Sequence, residues 1–117
     1  MALGLKRGTV KLRPYNKAWA KSFEEEKKKL EKSLKELAVD IQHIGSTSIP
    51  GMKAKPIIDI AVGVESMTVK DKIIRIFKKA DYEFRPFGNI NTHMLFAKGA
   101  ETNRTHYIHV MKHGGVI

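Results

Sequence analysis

Residues 43–64, HIGSTSIPGMKAKPIIDIAVGV, leave this chain few ways to fold. Ile41, His43 and Ile44 read as the end of a strand. Ile57, Ile58, Ile60, Val62 and Val64 form a β-branched run of the kind that buried strands use. Between them, Gly45, Ser46, Thr47, Ser48, Pro50 and Gly51 cannot easily make a regular element. The stretch therefore predicts strand, small-residue loop, strand. Small residues let backbone amides approach an anion, and the hydroxyls add donors. Asp59 sits inside the apolar run, where a carboxylate is costly unless it faces a cation, a metal or an open cleft. A hydroxyl-rich loop followed by a strand carrying one acid is a candidate site for a phosphate and its metal ion.

The remaining chain supplies what such a unit packs against. Thr9 to Leu12 alternates apolar and polar residues and predicts a short edge strand that Pro14 stops. Asn16 is a candidate N-cap for one long amphipathic helix reaching about Ala38, with Trp19, Phe23, Leu30, Leu34 and Leu37 on its apolar side. Trp19 and Phe23 read as core anchors, and the run EEEKKK (24–29) as a solvated face. A second helix, capped by Ser66 or Thr68, buries Val69, Ile73, Ile74, Phe77 and Ala80. Its outer face carries Lys70, Lys72, Arg75, Lys78 and Lys79, a candidate polyanion-contacting surface. Short strands follow at 82–84, 93–97 and 107–111, with a turn at 85–89, a polar connection at 98–105 and a flexible end. Helices and strands alternate early and strands cluster late, so the fold class is α/β or α+β with a mixed sheet.

Composition narrows the function classes. The chain has 117 residues and no cysteine, which bounds it to one domain with a modest core and excludes disulfide and thiolate chemistry. No run approaches the ~18 apolar residues of a membrane span, and the N-terminus lacks a signal-peptide apolar region. A cytoplasmic protein without a membrane partner is the expectation. A formal charge of +10 favours polyanions. The basic residues are dispersed, however, and few aromatic residues are available to stack on bases, so nucleic acid is a weaker expectation than a small phosphorylated ligand.

Gly45-Ser46, twelve further residues, then Asp59-Ile60-Ala61-Val62 resembles the signature of the DNA-polymerase-beta-like nucleotidyltransferase superfamily. More closely, VKLRPYNKAW (10–19), FEEEKKKL (23–30), HIGSTSIPGMKAKPIIDI (43–60) and RTHYIHV (104–110) resemble, in order, the blocks of the GrpB-like family within that superfamily. The resemblance covers most of the chain. It implies a nucleotidyltransferase-like mixed sheet with helices packed mainly on one face, over a single domain spanning residues 1–117. Family members continue with more helical sequence, so it also implies that C-terminal helices are lacking here. An apolar sheet face left uncovered in that way would favour a homo-oligomer.

The resemblance also implies a chemistry. Nucleotidyl transfer needs phosphates held in line and neutralised, usually by two divalent ions between carboxylates. In the superfamily, two acids two residues apart on one strand share a face. Here the second position is Ala61. A single divalent metal (Mg, Mn or Zn) on Asp59, His106 and His109 is the remaining expectation, and imidazole ligands suit Zn, Mn or Fe better than Mg. His106 and His109 are three apart and would face opposite sides of a regular strand, so both reach one ion only through a bulge or from the strand's end. Asp59 and Arg104 are the candidate catalytic residues. Gly45, Ser46, Thr47, Ser48 and Lys55 are the candidate nucleotide or phosphate contacts, with Lys53 a neighbouring cation. In the alternative to metal binding, Arg104 and a histidine clasp the anion directly. His43 joins the candidates through its place in the motif, while His93 and His113 read as ordinary polar residues. Two further readings compete with the enzyme. One is a fold relative without transfer activity that binds a phosphoryl ligand. The other is a basic module that contacts RNA or protein through residues 70–79.

Overall fold

The apolar stripes of two helices and the alternating residues of five strands meet on one side of a single sheet. This is seen in a computed structural model that describes residues 12–85, 92–100 and 103–113. Helix α1 is Ala18–Leu34, and a 3-10 turn (Lys35–Leu37) ends it. Strand β1 (Asp40–Ile44) leads through a 3-10 turn at Ser46–Ser48 to β2 (Ile58–Val64). A further 3-10 turn, Met67–Val69, enters α2 (Lys70–Lys79), and β3 (Glu83–Arg85), β4 (His93–Lys98) and β5 (His106–Lys112) complete the order. The strand expected at 9–12 lies almost wholly outside the described residues, as do most of the turn at 85–89, part of the connection at 98–105 and the end of the chain. Arg13, just beyond that strand, makes an isolated antiparallel bridge to Ala54.

The sheet order is β1-β2-β5-β4-β3. β1 pairs antiparallel with β2. β2 pairs parallel with β5, with Asp59 opposite Tyr107 and Ala61 opposite His109. β5 and β3 both run antiparallel to β4. The architecture is a mixed five-stranded sheet with both α-helices on one face, as the alternation and the resemblance predict. Ile58, Ile60, Val62 and Val64 of β2, Met94 and Phe96 of β4, and Ile108 and Val110 of β5 form the covered face. Trp19, Phe23, Leu30 and Leu34 of α1, with Ile73 and Phe77 of α2, close over it. Phe77 stacks on Phe96 with centroids 4.2 Å apart, a large apolar contact with an added aromatic preference. The intervening residues, Asp59, Ala61, His93, Leu95, Tyr107 and His109 among them, point to the other face.

Local signals explain the helix ends. Asn16 accepts the Ala18 amide through its side-chain oxygen at 2.8 Å and so caps the first turn of α1. Ser66 does the same for the Thr68 amide at 3.2 Å. The helix expected to reach Ala38 changes to a 3-10 turn at Lys35, which takes φ 52°, although Leu37 still packs on the core. Ala80, expected in the apolar stripe of α2, lies past its end and is exposed. One expectation is corrected inside α1. Glu26, read as part of a solvated EEEKKK face, is buried at 3% exposure, while Glu24 and Glu25 are exposed. It lies three residues after Phe23 and four before Leu30, at the spacing of the apolar stripe, and that spacing was the available signal.

Candidate functional site

Strand parity resolves the question posed by Asp59. Its neighbours Ile58 and Ile60 are fully buried against the helices, so the carboxylate faces the other way and keeps about a third of its side chain exposed. The strand buries its isoleucines and leaves the acid half-buried, in contact with solvent. The same face carries Ala61 next, so no second carboxylate follows Asp59 on β2.

The turn before β2 is shaped around that carboxylate. Gly45 takes φ 74° and ψ −174°, a region essentially limited to glycine. A Cβ built there would meet Asp59 Oδ2 at 2.9 Å. Much of the hydroxyl content of the turn is spent internally. Ser48 donates to the Gly45 carbonyl at 2.5 Å. Thr47 is buried and donates to the Ile57 carbonyl at 3.3 Å. It therefore accepts from His43 Nε2, which is 2.9 Å away. The His43 ring stacks on Phe23 with centroids 4.9 Å apart, on the helix side of the sheet. Burial lowers the His43 pKa, and the negative charge of Asp59 opposes that shift. His43 and Thr47 thus brace the turn from behind. Ser46, Lys53 and Lys55 remain exposed around it.

Among the other expected site residues, the topology brings one to Asp59 and removes two. His109 Nε2 lies 3.5 Å from Asp59 Oδ1, across the parallel β2–β5 pairing. His106 lies on the opposite face, as three-residue spacing on a regular strand requires, and does not converge with them. It is buried beside Glu26, whose Oε1 is 4.0 Å from His106 Nε2 and 2.6 Å from Lys98 Nζ. His106 Nδ1 is 2.8 Å from Thr105 Oγ1, which itself donates to the Lys98 carbonyl. Burial pushes the His106 pKa down to about 4. Arg104 is buried too. It donates to the Gly99 carbonyl at 2.9 Å and pairs with Glu83 at 3.0 Å, across the β3 edge of the sheet. Hydrogen bonds from Arg85, then Arg104, hold the Glu83 carboxyl below the usual range. Arg104 is committed to this contact and does not reach the Asp59 side.

The sequence reading leaves out one residue that the structure brings to this cluster. His93 Nε2 lies 3.2 Å from His109 Nδ1, with the rings stacked at 5.3 Å and 22°. Burial, then the neighbouring His109, lowers its pKa. Asp59, His109 and His93 thus form a line of carboxylate and two imidazoles across three strands. They do not surround a point, and no group of three or more His, Cys, Asp or Glu is arranged to hold a metal among the described residues. Two-point binding does fit. Ligands ~2.1 Å from a tetrahedral ion are roughly 3.4 Å apart, close to the Asp59–His109 separation. Water and ligand oxygens would complete such a shell.

A cleft of about 650 Å³ lies elsewhere among the described residues. It lies on the helix side between α1 and α2, lined by Leu34, Phe77, Tyr82 and Lys98, and none of the sequence-predicted site residues borders it. The chemistry-bearing cluster sits instead on the sheet face opposite the two α-helices. No helix among the described residues is long and apolar enough to cross a membrane.

A mixed α+β domain with a glycine turn aimed at one strand carboxylate defines the class of protein. The GrpB protein family pattern matches residues 9–116, and the chain belongs to that family. It is 38% identical over 117 residues to the glutamate-rich protein GrpB of Alkalihalophilus pseudofirmus, a match covering 97% of this chain and 67% of that one. It is 38% identical over 100 residues to the UPF0157 protein YqkA of Bacillus subtilis, covering 86% of this chain and 29% of YqkA. The crystal structure of the conserved protein GrpB from Enterococcus faecalis superposes with a TM-score of 0.79 at 36% identity, over 87% of this chain and 61% of that one. The chain therefore spans only part of the length of these relatives.

Proposed function

We propose that this domain binds a phosphorylated small molecule of the nucleotide class through one divalent cation shared by Asp59 and His109. The observation that carries the reading is the partly exposed Asp59 carboxylate, fitted against Gly45 and 3.5 Å from His109 Nε2. The cation would neutralise phosphoryl oxygens, and Ser46 and Lys55, both exposed near the turn, are the candidate anion contacts. Ala61 stands where a second metal-bridging carboxylate would be needed for a two-metal clamp. The proposal is therefore for one-metal ligand binding, and nucleotidyl transfer is the stronger claim that turnover assays must establish. Arg104 has no part in it, because its guanidinium is held by Glu83 and Gly99.

The test is thermal shift and calorimetry with nucleoside triphosphates, each with and without Mg²⁺, Mn²⁺ and Zn²⁺. Stabilisation that needs both nucleotide and cation, and that Asp59→Asn removes, supports the reading. Nucleotide binding that ignores both the cation and Asp59→Asn overturns it, as does the absence of any binding.

A further inference from the structure

Two imidazoles in contact are chemically different from one. His109 lies opposite Leu95 in the β4–β5 register, so His93 is its diagonal neighbour on the same face. Their nitrogens meet at 3.2 Å and their rings stack, which fixes the His109 ring plane as well as one of its nitrogens. With Nδ1 engaged by His93, the second nitrogen, Nε2, is the one presented to Asp59 at 3.5 Å.

We propose that His93 is a positioning residue that holds His109 ready for a borderline divalent cation of the Zn²⁺ type, in preference to Mg²⁺. The inference rests on the cation site proposed above and names the class of ion it takes. The proton positions balance. In the metal-free domain a proton on His109 Nε2 faces Asp59, and His109 Nδ1 accepts from His93 Nε2–H. When a cation occupies His109 Nε2, that proton moves to Nδ1. Nδ1–H then donates to His93 Nε2, whose own proton moves to its Nδ1. The heavy atoms stay where they are, so the cation meets a ring already aimed at it. Ligating histidines generally rely on such an outer partner, and losing it weakens metal binding by roughly 10–100-fold. Imidazole also shifts preference toward transition metals, whereas Mg²⁺ prefers oxygen donors and retained water.

The experiment is competition of Zn²⁺ and of Mg²⁺ against a chelating indicator, on the full chain without nucleotide. Wild type, Asp59→Asn, His93→Ala, His93→Gln and His109→Ala are compared, with the metal-free Tm of each confirming folding. The expected result is Zn²⁺ binding stronger than Mg²⁺ binding in wild type, lost in Asp59→Asn and His109→Ala. His93→Ala should lose roughly 10–100-fold in Zn²⁺ affinity. His93→Gln, whose amide oxygen can still accept from Nδ1–H, should recover part of that loss. Imidazole ¹⁵N shifts should show the His109 proton moving from Nε2 to Nδ1 on Zn²⁺ addition. Wild-type Zn²⁺ affinity in His93→Ala overturns the positioning role and leaves the cation site standing. Zn²⁺ binding that is absent, or indifferent to Asp59→Asn, overturns the preceding proposal and this one with it.

Discussion

The carboxylate of Asp59 rests against the Cα of Gly45, so close that a Cβ at residue 45 would meet Oδ2 at 2.9 Å. The glycine of the turn and the acid of the following strand are therefore one structural unit. Their separation in sequence is what the loop between them must span.

Gly45→Ala should destabilise the domain in two ways. Its backbone conformation costs about 1–3 kcal/mol in a residue with a side chain, and the new methyl must displace the carboxylate. Gly51→Ala is the control, because Gly51 also has positive φ, 82°, yet a Cβ there would meet nothing within 4 Å. Urea unfolding should show the larger loss for Gly45→Ala, and cation binding should fall only in that variant.

Thr47→Val keeps the shape of the side chain and removes the hydroxyl that links His43 to the Ile57 carbonyl. A buried polar group left unpaired costs about 1–3 kcal/mol. Equilibrium unfolding should show a loss of that size, and Thr47→Ser should recover most of it.

Lys98→Met removes the ammonium that pairs with buried Glu26 at 2.6 Å. Stranding a buried charge costs about 3–5 kcal/mol, so this variant should be strongly destabilised. The double variant Glu26→Gln/Lys98→Met should be more stable than Lys98→Met alone. A double-mutant cycle with both single variants measures the coupling. Additive single effects would show that the pair is not coupled.

His106 makes stability depend on pH in a defined window. Its folded pKa, about 4, lies below the ordinary value of 6.5. The unfolded chain therefore binds the proton first as pH falls. The contribution is complete above about 6.5 and declines as pH drops toward 4, by on the order of 3 kcal/mol across the window. Unfolding free energies of wild type and His106→Gln, measured at intervals from pH 7 to pH 4, should diverge in slope over that range. Parallel slopes would assign the acid sensitivity to other groups.

The strand–turn–strand at 43–64 was legible because composition and alternation agree there. Period two alone places Asp59 opposite Ile58 and Ile60, and separates His106 from His109. The partners of Asp59 were not legible in the same way. His109 reaches it only because β5 lies parallel beside β2, and His93 only because β4 returns beside β5. Those registers are tertiary facts that local patterns do not encode. Thr47 and Ser48, expected as ligand donors, instead satisfy carbonyls of their own loop, a competition to which small hydroxyl residues are prone. Arg104 is matched by the family block, yet its guanidinium serves the fold, held at the edge by Glu83.

The parallel seam between β2 and β5 has a consequence for how the domain is made. Asp59 is translated long before His109, and every other strand pairing in the sheet is antiparallel. A nascent chain that has emerged only through β4 holds the carboxylate without its imidazole neighbour. Joining distant segments this way raises contact order and slows folding. A cation caught between those two side chains would therefore report that β5 has slotted into the middle of the sheet.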